Sequence, residues 1–325
     1  MNANADGGGQ GTFADASAGE DAGPVNAGPC DDGLPIFGDA TSFAKAIGIC
    51  NGLVSATFTR GHSSSDPPAD GQHGVLDAFG NVIKPREGKR LGVLSTGWAR
   101  AYDDVSATSC DAATLTHCFK QGVQMQNGLP TLGAAPPGYP KPVSPCAVSD
   151  QQFDAISVKL ELKVPKNARG FAIDFDFFSG EWPDYVCTKY NDGFVLLVDD
   201  ANVAFDSAGR ALSVNNAFFD RCTAATQTGC HGEPPIFGTS TCGGDLSELE
   251  GTGFYVPGIY CNAQQSTGGG ATGWLTTQVS VVPESTLRME LLIWDSGDPK
   301  FDSSVVVDHF RWISEATTTS TEPIR

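Results

Sequence analysis

The chain has 325 residues, with 38 acidic against 20 basic side chains and a formal net charge of −18. That balance argues against a nucleic-acid partner, because phosphate binding needs clustered Lys and Arg. The length suits one large domain with elaborate loops or two smaller ones. With 39 Gly, 20 Pro and only 18% charged residues, turns are favoured over long surface helices.

Residues 1–33 are rich in Gly, Ala and Asp, and the first basic side chain is Lys45. Such a segment cannot bury enough apolar area to fold and reads as a disordered tether. No signal peptide follows Met1, and no apolar run approaches the roughly 18 residues of a membrane span. The expectation is a secreted or surface-anchored protein, lipid-tethered in one version, whose leader has been removed. Asp39–Gly48 predicts a short helix, capped by Asp39 or Thr41 and stopped by Gly48. Leu53–Thr59 and Leu91–Ser95 read as strands. Residues 101–149 form a turn-rich excursion.

From Phe153 the β signal strengthens. In Val158–Val164 apolar and charged residues alternate, which gives one dry and one wet face. Phe171, Ile173, Phe175 and Phe177 make another core face, and Phe194–Val198, Leu275–Val281, Leu287–Trp294 and Val305–Trp312 continue the pattern. The fold class is all-β: an antiparallel β-sandwich or jelly roll occupying residues 34–314 as one domain. Asn216–Ser266 is expected as a long insertion at one end of it, and 315–325 as a flexible tail.

Ten cysteines without CxxC or CxxH spacing disfavour zinc and favour disulfides formed in an oxidising compartment. Proximity suggests Cys30–Cys50, Cys110–Cys118, Cys146–Cys187, Cys222–Cys230 and Cys242–Cys261.

The segment Leu287–Trp312 places Asp295, Asp298 and Asp302 within eight positions, with Asp308 further along the second run. Carboxylates so crowded repel one another unless a cation sits among them or water surrounds each one. With Glu181, Asn191 and Asp192 they offer the hard oxygen donors that Ca²⁺ prefers, and no soft ligand. The EF-hand spacing is absent, so the expected calcium is structural. The competing reading makes Asn191-Asp192-Gly193 a hairpin turn and lets the later aspartates cap loops.

The motifs FDFFSGEWPDYV, NDGFVLLV and WDSGDPKFDSSVVVDHF, together with Thr272–Thr276, resemble the choice-of-anchor L domain of exported bacterial proteins. The resemblance runs from about Phe37 to Trp312, with Trp182 where a Tyr is common. It implies an extracellular domain with a variable mode of attachment, and no activity.

Trp182, Tyr185, Phe254, Tyr255 and Tyr260 fall in or near loops, where rings can stack on sugars or anchor a protein partner, or simply cover the sandwich ends. The leading functional expectation is non-catalytic adhesion or surface recognition, with a glycan or surface protein meeting the insertion. One alternative is a secreted glycoside hydrolase pairing Glu181 with Asp192 or Asp295. Another is a structural subunit that associates with its own copies. No GxSxG elbow supports a serine hydrolase, and His62, in a Pro- and Asp-rich loop, is expected to be solvated.

Overall fold

In the computed structural model, residues 26–69, 71–100, 135–215, 218–229, 238–257 and 267–324 are described. The first regular element is helix α1, Ala40–Ala46. It starts where the Asp39 carboxylate accepts the Ser42 N–H at 2.8 Å, and it buries Phe43 and Ala44.

Ten strands form the body: β1 Leu53–Thr59, β2 His73–Leu76, β3 Leu91–Ser95, β4 Gln152–Lys163, β5 Gly170–Ser179, β6 Gly193–Val198, β7 Leu275–Ser280, β8 Thr286–Ser296, β9 Ser303–Ile313 and β10 Ser320–Pro323. One sheet runs β1-β4-β8-β6, extended by the short pieces Ala201–Asn202 and Leu212–Ser213. The other runs β10-β7-β5-β9-β3-β2, with Gly270–Ala271 also paired to β5. Every pairing between these strands is antiparallel.

The sheets meet face to face. Val158, Leu160 and Leu162 of β4, Phe194 and Leu196 of β6, and Leu291 and Ile293 of β8 share one core with Phe171, Ile173, Phe175 and Phe177 of β5. The alternation read from the sequence is the alternation of this sandwich. Part of each outer face is covered as well. On the second sheet Phe178, Val93 and Val306 pack under Phe79, Leu249 and Phe254. The described part of the 216–266 insertion divides. Leu246, Leu249 and Phe254 lie over this sheet face, away from the expected place at one end, while Phe219, Cys222 and Cys242 pack into the core between the sheets beside Trp182. The segment expected as a C-terminal tail contributes β10, paired to Leu275–Gln278 of β7.

Among the described residues three disulfides close loops: Cys30–Cys50, Cys146–Cys187 and Cys222–Cys242. The first two match the expectation, and the third replaces both Cys222–Cys230 and Cys242–Cys261. A small ladder between Gln227–Thr228 and Gly238–Thr239 folds the insertion back on itself and brings Cys222 and Cys242 to a Cα separation of 5.5 Å. Cys110–Cys118 lies outside the described residues. No helix among them is long and apolar enough to cross a membrane.

Candidate functional site

Two crossovers between the sheets occur at the same end of the sandwich. β5 ends at Ser179 in one sheet and β6 begins at Gly193 in the other, while β8 ends at Ser296 and β9 begins at Ser303. The register ties them together: Ser179 pairs with Ser303, Gly193 with Trp294, Ser304 with Ser95 and Ser296 with Gln152. Glu181, Asp192, Asp295 and Asp302 all stand at these strand ends, and all four are buried.

A bulge adds a fifth acid. Between the pairs Ile293–Ile156 and Asp295–Phe153, β4 has two residues opposite the single Trp294. Asp154 is one of the two, with φ +45°, and it is buried beside the others. Bulges of this kind re-aim side chains near strand ends. Asp154 escaped the sequence reading, because a polar residue after Phe153 reads as the outward side of an alternating strand. Asp184 lies in the quoted GEWPDY motif and is also buried, and it was not singled out.

The electrostatics show how near these groups are. Burial, and then the charges of Asp192 and Asp298, push the Glu181 carboxyl well above its ordinary range. Burial pushes Asp192 up to about 7, even though Ser303 Oγ and the Ser296 N–H donate to it at 2.6 and 2.9 Å. Asp295 is also driven well up, first by burial and then by Asp192, Asp302 and Asp154. Asp154 rises to about 7 through burial. Half-buried Asp298 rises for the same reason, and its Oδ1 accepts the Lys300 N–H at 3.0 Å. Neither oxygen of Asp295, nor Oε2 of Glu181, nor Oδ2 of Asp154 accepts a well-formed hydrogen bond. Buried acceptors without donors are costly.

The walls are tightly built. Thr96 Oγ1 accepts the Ser303 N–H at 2.9 Å, and Gly97 sits where any side chain would collide with the Asp302 carboxylate. Asn191 is buried with its Oδ1 turned to the Asn215 N–H at 3.0 Å. Asn191-Asp192-Gly193 is not a hairpin turn. It leads into β6, and Gly193 is needed because the Trp294 indole lies against it. Asp308 belongs elsewhere: it accepts the Arg86 N–H and the His309 N–H, the latter at 2.6 Å, on the outer face of the second sheet.

The donor set is oxygen-only and partly without hydrogen-bond donors, which suits a hard divalent ion such as Ca²⁺. Among the described residues no three His, Cys, Asp or Glu side chains are placed so that they could hold a metal ion together. Sealed as they are, Glu181, Asp192 and Asp295 offer no open cleft in which a sugar bond could lie.

The loop aromatics divide. Trp182 is buried and stacks on Phe219 at 4.5 Å, and Phe254 is fully buried against Phe178, so both are packing side chains. Tyr185 is half-buried between Tyr190 and Phe301, Tyr255 is exposed, and Tyr260 lies outside the described residues. His62 is not solvated: its Nδ1 is 2.8 Å from Glu290 Oε2, and Ser157 Oγ donates to Oε1 of the same carboxylate at 2.6 Å.

The family model of the choice-of-anchor L domain matches residues 144–309, a span holding β4 to β8, most of β9 and the whole acidic end. The chain belongs to that family. The matched span is shorter than the Phe37–Trp312 resemblance. With the disulfides, membership points to an extracellular or surface-associated protein. None of the curated proteins compared matches the chain. Among solved structures, a beta-glucosidase from Kluyveromyces marxianus aligns at 8% identity with a TM-score of 0.17, covering 77% of this chain and 20% of that one. The chain thus spans a fifth of that enzyme's length, and so poor a superposition carries no argument.

Proposed function

We propose that the chain is a non-catalytic surface-recognition domain of an exported bacterial protein, braced at one end by a structural Ca²⁺. Residues 26–33 are excluded from the expected 1–33 tether, since Asn26 pairs with the Trp312 backbone, Cys30 is bridged to Cys50 and buried Asp31 accepts the Lys89 and Arg90 N–H groups. The loops over the second sheet meet the ligand. The observation that carries the calcium part is the burial of Glu181, Asp192, Asp295 and Asp302 together, with oxygens of Glu181 and Asp295 lacking hydrogen-bond donors. Neutralising such a group with a divalent ion yields folding free energy, and Ca²⁺ takes about six to eight oxygens from carboxylates, carbonyls and water. Glu181, Asp192, Asp295, Asp298 and Asp302 are the ligands assigned by this reading, with Asp154 beside them. Asn191, whose Oδ1 accepts the Asn215 N–H, holds the segment that delivers Asp192. The role is structural because the carboxylates are closed to a large substrate.

Thermal melting of metal-stripped protein, with and without Ca²⁺, tests the reading. A higher melting temperature in calcium, reversed by EDTA, supports it. Superimposable curves contradict it.

A further inference from the structure

The outer face of the second sheet carries a cleft of about 440 Å³, lined by Val82, Lys84, Pro85, Arg86, Glu248, Trp274 and His309. That volume lies in the range of small-ligand sites. Beneath it sits Asp174, buried in the middle of β5. Its carboxylate accepts Thr276 Oγ1 at 2.6 Å, Arg86 Nε at 2.8 Å and Arg311 Nη1 at 3.1 Å, and it lies 2.9 Å from His309 Nδ1.

A second bulge makes this grouping. Between the pairs Asp308–Asp174 and Arg311–Ala172, β9 has two residues opposite the single Ile173, and His309 takes φ +55°. The bulge resets the alternation, so Asp308, His309 and Arg311 all stand outside while Val307 and Phe310 remain in the core. Asp308 Oδ2 then accepts the Arg86 and Glu87 N–H groups and fixes the 84–87 loop over the sheet.

The guanidinium of Arg86 is held from two sides, by Asp174 at Nε and by the Trp274 ring 5.3 Å away. Arg86 itself lines the cleft. Lys84 is exposed at the rim, and the carboxylate of Glu248 is engaged by Arg221 Nε at 2.8 Å. On a protein of net charge −18, this is a preorganised cationic fork beside aromatic and proline surface.

We propose that this cleft binds an anionic sugar unit of a polysaccharide, its carboxylate or sulfate held by Arg86 and Lys84 and its ring lying against Pro85 in the wall that Trp274 completes. The inference deepens the recognition part of the proposed function and is independent of the calcium part. Sugar is favoured over an acidic peptide because the lining pairs a bidentate cation with flat apolar surface in a space of one or two rings.

The test is calorimetric titration of the full chain with uronate oligosaccharides, sulfated oligosaccharides, neutral oligosaccharides of equal length and an oligo-aspartate peptide. At least one anionic sugar is expected to bind, with affinity falling as salt rises. Lys84→Glu, at an exposed position, and Arg86→Gln are each expected to weaken it roughly tenfold. Unchanged circular dichroism and melting of Lys84→Glu keeps that readout clear of folding. Three results overturn the assignment: no preference for anionic over neutral sugars, indifference to both substitutions, or an oligo-aspartate that binds as well as the sugars. Neutral sugars binding equally to wild type and both variants would overturn the cleft while leaving surface recognition intact. Melting with and without Ca²⁺ reports on the acidic end alone.

Discussion

Asp174 and Asp295 are both buried aspartates beside a β-bulge, yet the chain treats them oppositely. Burial raises the carboxyl of Asp174, but hydrogen bonds from Thr276 and His309 and the charge of Arg311 outweigh it, and it stays below its ordinary range. Asp295 has no cation among the groups that shift it: burial and then the charges of Asp192, Asp302 and Asp154 drive it well up against a lesser pull from Thr96. The first carboxylate is satisfied by cations of the chain itself, so it organises an outward-facing cleft. The second is surrounded by its own kind, and on that contrast the proposed Ca²⁺ site rests. Burial alone does not tell these cases apart; the sign of the neighbouring charge does.

The largest effect should come from breaking the internally neutralised region. Asp174→Asn removes the charge that holds Arg86, Arg311 and His309, and is expected to cost about 2–3 kcal/mol in denaturant unfolding, with calcium or without. Next is calcium itself. At about a hundredfold excess over Kd it should stabilise wild type by about 2.7 kcal/mol, which moves the melting temperature of a chain this size by about 5 °C. In Asp295→Asn that rise should disappear.

The pH dependence of metal-free protein follows from the raised carboxyls. Asp192 and Asp154 shift from 3.8 to about 7 on folding, so they bind protons more tightly in the folded state. Their stabilising contribution is complete below about pH 4 and is lost as pH rises through about 7. Melting temperature without calcium should therefore fall between pH 5 and pH 8, and calcium should restore it at the upper end. A flat profile would break the contrast with Asp174. The smallest effect is the most diagnostic. Asp295→Asn in metal-free protein at pH 8 relieves repulsion and should stabilise by about 1 kcal/mol, opposite in sign to Asp174→Asn.

The sandwich was legible because period-two alternation records which side of a strand is dry. β5, β6, β8 and β9 could be read from Phe171–Phe177, Phe194–Val198, Leu287–Trp294 and Val305–Trp312 for that reason. Glu181, Asp192 and Asp295–Asp302 were legible as crowded acids. Asp154 was not, because a bulge leaves no mark in periodicity: a single φ of +45° turns an apparent strand residue into a member of the acidic end. The cleft was hidden for the same reason. Nothing local links His309 to Arg86 or Asp174, 223 and 135 positions away. The Cys222–Cys242 bridge was missed because closeness along the chain stood in for closeness in space, and the ladder between 227–228 and 238–239 changed which cysteines meet.

The most direct measurement is calorimetric titration of Ca²⁺ into metal-stripped protein at pH 7 in two buffers of different ionisation enthalpy. Binding should release protons, because carboxyls pushed up to about 7 must ionise to hold the ion, and both heat and proton release should vanish in Asp295→Asn. Absence of binding in wild type, or binding that releases no proton and survives Asp295→Asn unchanged, would contradict a shared ion among these side chains.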